Sequence, residues 1–320
     1  MSRNPVFRGV GTAMITPFSA DGRIDTDTFK KLVRRQTDAG VAALIVGGTT
    51  GEAPTLSDEE RVALIRAARE ASGGAIPVLS GCGSADTAHA VKMAREAEAA
   101  GADGLLAVTP YYNKTTPRGL VGYYRTVCAA TSLPVIAYSV PSRTGMKIDS
   151  EIWGELFAIP NLVGLKDAGG DAAASARLIS RFGREISVWS GCDDLILPTL
   201  SVGGAGVISV ISNVVPRRTV ALCKLFDDCR NAEAAALAAE LCPLCDALFC
   251  EVNPIPVKSA LAMLGLCGEH YRAPLCPPSE ETRRRIASAL FGEARPGKPL
   301  AGMPLRAVGA LAPTVDGQAR

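Results

Sequence analysis

Lys166, Tyr138, Thr49, Thr50 and Arg143 could do chemistry, because each closes or follows an apolar run. Lys166 ends the run Leu162-Val163-Gly164-Leu165 and leads into Gly169-Gly170. An amine kept out of water at such a position has its pKa lowered by burial. It can then attack a carbonyl near neutral pH and form an imine. Strand alternation predicts Leu162, Gly164 and Lys166 on one face, with Gly164 leaving space beside the amine for a substrate. Glycine-flanked Thr49 and Thr50 offer N–H and hydroxyl donors to a carboxylate. Tyr138, on the same strand face as Ile136, can shuttle protons for a neighbouring imine. Arg143 presents a planar fork suited to a second carboxylate. These groups suit a keto acid held as an imine whose enamine form is a carbon nucleophile. Each also has a structural alternative. Lys166 could snorkel to solvent, Thr49 and Thr50 could be turn residues, Tyr138 a core tyrosine and Arg143 a surface charge. Lys258 is a rival amine, although it falls in a helical stretch.

The elements that must position these groups are legible from the hydrophobic pattern. Apolar strands are predicted at residues 9–16, 41–46, 77–80, 104–108, 134–139, 162–166, 187–190 and 206–210, with amphipathic helices between them. Ser57 to Glu60 fits a capping box, and a helix is expected over 175–182. Eight such units predict an α/β fold of the closed (β/α)8 TIM-barrel type rather than an open sheet. The barrel is expected over residues 1–229, a C-terminal helical extension over 230–291, and a disordered tail over 292–320. Barrel enzymes carry their chemistry at the C-terminal strand ends. Thr49, Thr50, Tyr112, Tyr138, Lys166, Gly191 and Ile208 all fall at or near such ends. Asp193 and Asp194 are read as helix N-terminal residues. Residues 203–206 could resemble a phosphate cradle, which would suit a phosphate-binding isomerase, but close strand packing is the simpler reading. Arg283 to Arg285 read as a solvated helix face.

Composition narrows the classes further. A net charge of +2 argues against nucleic acid or an anionic membrane surface as partner. No apolar run reaches the roughly 20 residues of a membrane span, and the first 18 residues lack an export signal. A cytoplasmic protein with reduced thiols is expected. Cys242 and Cys245 have CxxC spacing, yet no second pair follows and the chain has 2 histidines, so no metal site and no serine–histidine triad is expected.

Gly48-Thr49-Thr50-Gly51-Glu52, Thr109-Pro110-Tyr111-Tyr112-Asn113, Tyr138 with Val140-Pro141-Ser142-Arg143-Thr144-Gly145, and Gly164-Leu165-Lys166 resemble the signatures of the dihydrodipicolinate synthase family. That family belongs to the Schiff-base aldolases, with the N-acetylneuraminate lyases. Gly206-Val207-Ile208-Ser209-Val210 and Asn253-Pro254-Ile255-Pro256-Val257-Lys258 follow in the family's order. The resemblance implies condensation of pyruvate with aspartate semialdehyde in lysine and diaminopimelate biosynthesis. Lys166 would form the imine, with no other cofactor. Tyr138, Thr49 and a neighbouring subunit's Tyr112 would relay protons. Thr50 and Ile208 would seat pyruvate, with Gly191 beside them, and Arg143 would hold the aldehyde's carboxylate. A homotetramer built as a dimer of dimers is implied. Ser139, Asp167 and Cys192 depart from common family residues. Sister enzymes acting on hydroxy-oxoglutarate or N-acetylneuraminate stay in view, as does a non-catalytic binding protein on this scaffold. Lysine-sensitive members use an asparagine and a glutamate where this chain has Ala85 and His89, and histidines where it has Asp58 and Arg61. A weak or absent response to lysine is therefore expected.

Overall fold

The computed structural model describes residues 5–292. Eight parallel strands form a closed barrel in chain order: β1 (Gly9–Ala13), β2 (Ala43–Val46), β3 (Val78–Cys82), β4 (Gly104–Val108), β5 (Val135–Ser139), β6 (Leu162–Asp167), β7 (Ser187–Ser190) and β8 (Gly206–Ser209). The (β/α)8 expectation holds. β8 closes against β1 with Gly9 opposite Gly206 and Gly11 opposite Ile208. Gly206 has φ +144°, and a Cβ there would lie 1.9 Å from the Gly9 carbonyl oxygen. That glycine run therefore closes the barrel, as close packing demands.

Burial separates two cores. The outer one joins the strands to the helices and includes Leu44, Leu105, Leu165 and Val207. The inner one fills the barrel with Phe7, Ile45, Leu106, Ile136, Tyr138, Trp189 and Ile208. Tyr138 and Ile136 do share the inward face. β6 departs from simple alternation. Its register against β5 shifts from Val135 opposite Leu162 to Ile136 opposite Gly164. The extra residue sends Leu162 to the outer core and Val163 to the inner one, so Leu162 and Lys166 do not share a face.

Local signals set the helix ends. Ser57 and Glu60 form the expected capping box on Asp58–Ser72. The helix after β6 begins earlier than expected, at Ala172, because Asp171 caps it by accepting from the Ala173 N–H. After Pro216–Asp227 come Asn231–Leu248, Ile255–Met263 and Glu280–Phe291, which pack on one another at one side of the barrel. Cys242 is exposed and Cys245 buried on the first of these, with burial pushing the Cys245 thiol up. Among the described residues no group of three metal-ligating side chains is assembled, and no helix is long and apolar enough to cross a membrane. Beyond Gly292, the expected tail lies outside the described residues.

Candidate active site

Lys166 is the natural starting point. It stands opposite Tyr138 on β5 and Trp189 on β7, so three inward residues share one level of the barrel. Its side chain is 5% exposed, and Nζ lies 4.3 Å from the centroid of the Tyr138 ring. Among the described residues it makes no ion pair. Space for it comes from Gly191 rather than Gly164. A Cβ on Gly164 would meet the Ser187 carbonyl at 2.2 Å and Trp189 at 2.7 Å, so that glycine admits β7, not a substrate. A Cβ on Gly191 would lie 2.6 Å from Ala168 Cβ and 3.0 Å from Lys166 Cε, so that glycine makes room for the end of β6 and for the lysine side chain. Gly191 is held there by its N–H, which donates to the Asp167 carbonyl at 2.7 Å. Trp189, Phe7 and Ile208 form an apolar floor, with Phe7 and Trp189 ring centroids 5.0 Å apart.

A cavity of about 400 Å³ opens at the ends of β2 to β5, lined by Thr49, Tyr138 and Arg143 and also by Arg61, His89 and Tyr111. Lys166 does not line it directly; Tyr138, whose ring lies 4.3 Å from the Lys166 amine, does. The turn holding Thr49 and Thr50 is a 3-10 turn, Thr49–Gly51, after which Glu52 takes φ 59°. A left-handed backbone is costly for glutamate. It is held by Lys258, whose Nζ donates to Glu52 Oε1 at 2.6 Å, and by the Arg272 N–H, which donates to Oε2 at 3.2 Å. Thr50 is buried, and its Oγ1 accepts from Asn253 Nδ2 at 3.0 Å. Arg143 lies in the short turn after β5, where its Nη2 donates to the Asn253 carbonyl at 2.9 Å.

The arrangement brings an amine, a phenol, a hydroxyl turn and a guanidinium to one end of a closed barrel, the combination an imine-forming carbon–carbon enzyme uses. A model of the dihydrodipicolinate synthetase family matches residues 6–291. The chain belongs to that family. It is 45% identical to a 4-hydroxy-tetrahydrodipicolinate synthase from Thermotoga neapolitana, covering 89% of this chain and 98% of that one. A synthase of the same name from Moorella thermoacetica is 43% identical, covering 87% and 96%. A crystal structure of dihydrodipicolinate synthase from Thermotoga maritima superposes with a TM-score of 0.87 at 41% identity, covering 89% and 98%. One from Cyanidioschyzon merolae with lysine bound gives 0.87 at 33% identity, covering 90% and 99%.

Against this family background the remaining residues sort by environment. Lys258, the rival amine, is 0% exposed and sealed between Glu52 and the rings of Phe18 and Tyr271. Burial pushes its ammonium down and Glu52 pulls it back up. Tyr112, at φ 68° and 94% exposed, lines the same cavity as Thr49 and Tyr138. Asp193 and Asp194 stand at a helix start, as read from the sequence, and Asp193 does more. It opens a 3-10 turn, and its buried carboxylate accepts the N–H groups of Val210 and Ile211 at 2.9 and 3.0 Å. It thus ties the end of β7 to that of β8, and burial pushes its carboxyl up. Burial first, and then Asp194, push the Cys192 thiol up to about 11. Ala85 lies just ahead of the helix Thr87–Ala99, which carries His89. Asp58 is already engaged by His89 Nε2 at 3.0 Å and Lys92 Nζ at 2.8 Å. Sequence reasoning passed over Trp189 and the side chain of Asn253. The Asn253 contact to Thr50 spans 203 positions, which no local pattern encodes.

Proposed function

We propose that the protein joins pyruvate to L-aspartate 4-semialdehyde, giving 4-hydroxy-tetrahydrodipicolinate for lysine and diaminopimelate biosynthesis, through an imine on Lys166. The observation that carries this reading is the Lys166 amine, buried against Tyr138 and free of any carboxylate pair among the described residues, with Tyr138 and Arg143 both lining one cavity. Nζ attacks the keto carbon of pyruvate, and loss of water leaves an iminium. Loss of a methyl proton makes the enamine, whose carbon bonds to the aldehyde carbon while the aldehyde oxygen gains a proton. The semialdehyde's own amine then displaces Lys166, closing the ring and freeing the enzyme. No external cofactor is needed, because the iminium itself is the electron sink.

Tyr138 and Thr49, with Tyr112 from a neighbouring copy, relay the protons. Tyr112, exposed at positive φ on the edge of the cavity, leaves a face free for a neighbouring copy, which supports a shared site. Thr50, Ile208 and Gly191 seat pyruvate, and Arg143 holds the carboxylate of the aldehyde. The reaction is placed in the cytoplasm. Borohydride added with pyruvate should inactivate the enzyme and leave one pyruvate-derived mass on the Lys166 peptide. Label on Lys258, or none, sinks the mechanism. An aldehyde panel, with aspartate semialdehyde preferred, separates this synthase from its sister lyases.

A further inference from the structure

We infer that Asn253 is a positioning residue for the keto-acid seat, its side-chain amide orienting the Thr50 hydroxyl so that the hydroxyl proton is left for the substrate carboxylate. The inference rests on the reading above that Thr50 faces pyruvate. A threonine hydroxyl has one proton to give and two lone pairs to offer. Asn253 Nδ2 donates to Thr50 Oγ1 at 3.0 Å, so Thr50 is the acceptor in that contact and its proton points elsewhere. Thr50 is 3% exposed, and among the described residues its hydroxyl donates to nothing. A carboxylate arriving in the seat is the acceptor that completes it.

Asn253 itself is 9% exposed, and its Oδ1 has no partner among the described residues. A buried amide kept only for packing would avoid that arrangement. Its main-chain carbonyl does a separate job by accepting from Arg143 Nη2 at 2.9 Å. One residue of the helical extension therefore braces both substrate-binding groups, through two different atoms. The brace is itself fixed, since the extension is pinned to the same turn by Lys258 on Glu52, two residues beyond Thr50.

The two atoms can be separated by substitution, because a side-chain change leaves the carbonyl in place. Asn253→Leu is close to isosteric and adds no charge. The pyruvate concentration that half-saturates borohydride trapping on Lys166 should rise about tenfold, the loss expected for one charge-assisted hydrogen bond. At saturating pyruvate, KM for the aldehyde should change by less than about twofold, since Arg143 keeps its acceptor. In a Thr50→Val background, Asn253→Leu should cost nothing further. Unchanged half-saturation, multiplying losses, or an equal rise in aldehyde KM overturns the proposal. Asn253→Ala gives the same readouts in a smaller side chain, and failure of both variants to fold would make the amide structural and overturn it as well. Absence of any adduct in the unaltered protein would instead overturn the imine reading on which the proposal depends.

Discussion

Lys166 and Lys258 are both buried, at 5% and 0% exposure, one at the mouth of the barrel and one in the seam between barrel and helical extension. The seam gives Lys258 a carboxylate at 2.6 Å and two aromatic rings, so its charge is matched and it is closed to any substrate. The barrel mouth gives Lys166 one ring, a glycine and no ion pair among the described residues. Burial therefore does not separate the two lysines. The partner does: Lys258 is matched by a carboxylate, and among the described residues Lys166 is not. The two sites are also connected, because the Lys258–Glu52 pair fixes the turn that carries Thr49 and Thr50.

The sharpest way to break the contrast is at Lys166. Lys166→Ala should abolish the borohydride adduct and lower turnover by roughly a thousandfold or more while the protein stays folded. Substantial residual turnover would mean another amine does the work. Lys258→Met should act on stability instead. It leaves the Glu52 carboxylate buried and unpaired, at a cost of about 3–5 kcal/mol, read as a lower urea midpoint. Adding Glu52→Leu should restore most of the loss, and in both variants the adduct should still form on Lys166. A stable Lys258→Met protein that cannot be trapped would reverse the assignment.

Smaller effects sharpen the picture. Arg143→Ala should cut kcat/KM for the aldehyde about ten- to a hundredfold and leave pyruvate trapping nearly intact. Equal loss in both steps would show that Arg143 holds the site together rather than reading the second substrate. In the seam, Arg272 beside Glu60 holds that carboxyl below its ordinary value of 4.5. The folded value is the lower one, so this contribution is present above about pH 4.5 and is lost as pH falls through the depressed value. Arg272→Gln should flatten the acid limb of the stability profile, and an unchanged limb counts against the pair. The smallest expected effect is that of free lysine. Asp58 is already matched by Lys92 and His89, and Arg61 is a buried cation in the same lobe of the cavity. Lysine up to the millimolar range should leave initial rates unchanged, and saturable inhibition would show an uncompensated acceptor there.

Much of this was written in short stretches of chain. Each strand is an apolar run bounded by glycine, proline or a cap, so periodicity located all eight and their number implied closure. Lys166, Tyr138, Thr49 and Arg143 were visible because each stands at the end of such a run, where a barrel places its chemistry. The shape of the site was less legible. The bulge in β6 moved Leu162 off the face that Gly164 and Lys166 still share, and packing across to β7 took the space assigned to a substrate beside Gly164. Trp189 and the Ser187 carbonyl fill the space beside Gly164, and it is Gly191, just past β7, that makes room for the Lys166 side chain.

The sequence by itself determined the order of elements, the barrel class and the family, because these follow from local polarity and from residues close in the chain. Tertiary structure alone decided which lysine is neutralised, that Asp193 serves the end of β8, and that Asn253 reaches Thr50 across 203 positions. Those outcomes depend on which side chains meet once the strands have closed and the C-terminal helices have docked. A buried charge or amide takes its state from the partners it finds there, and a linear sequence does not specify them.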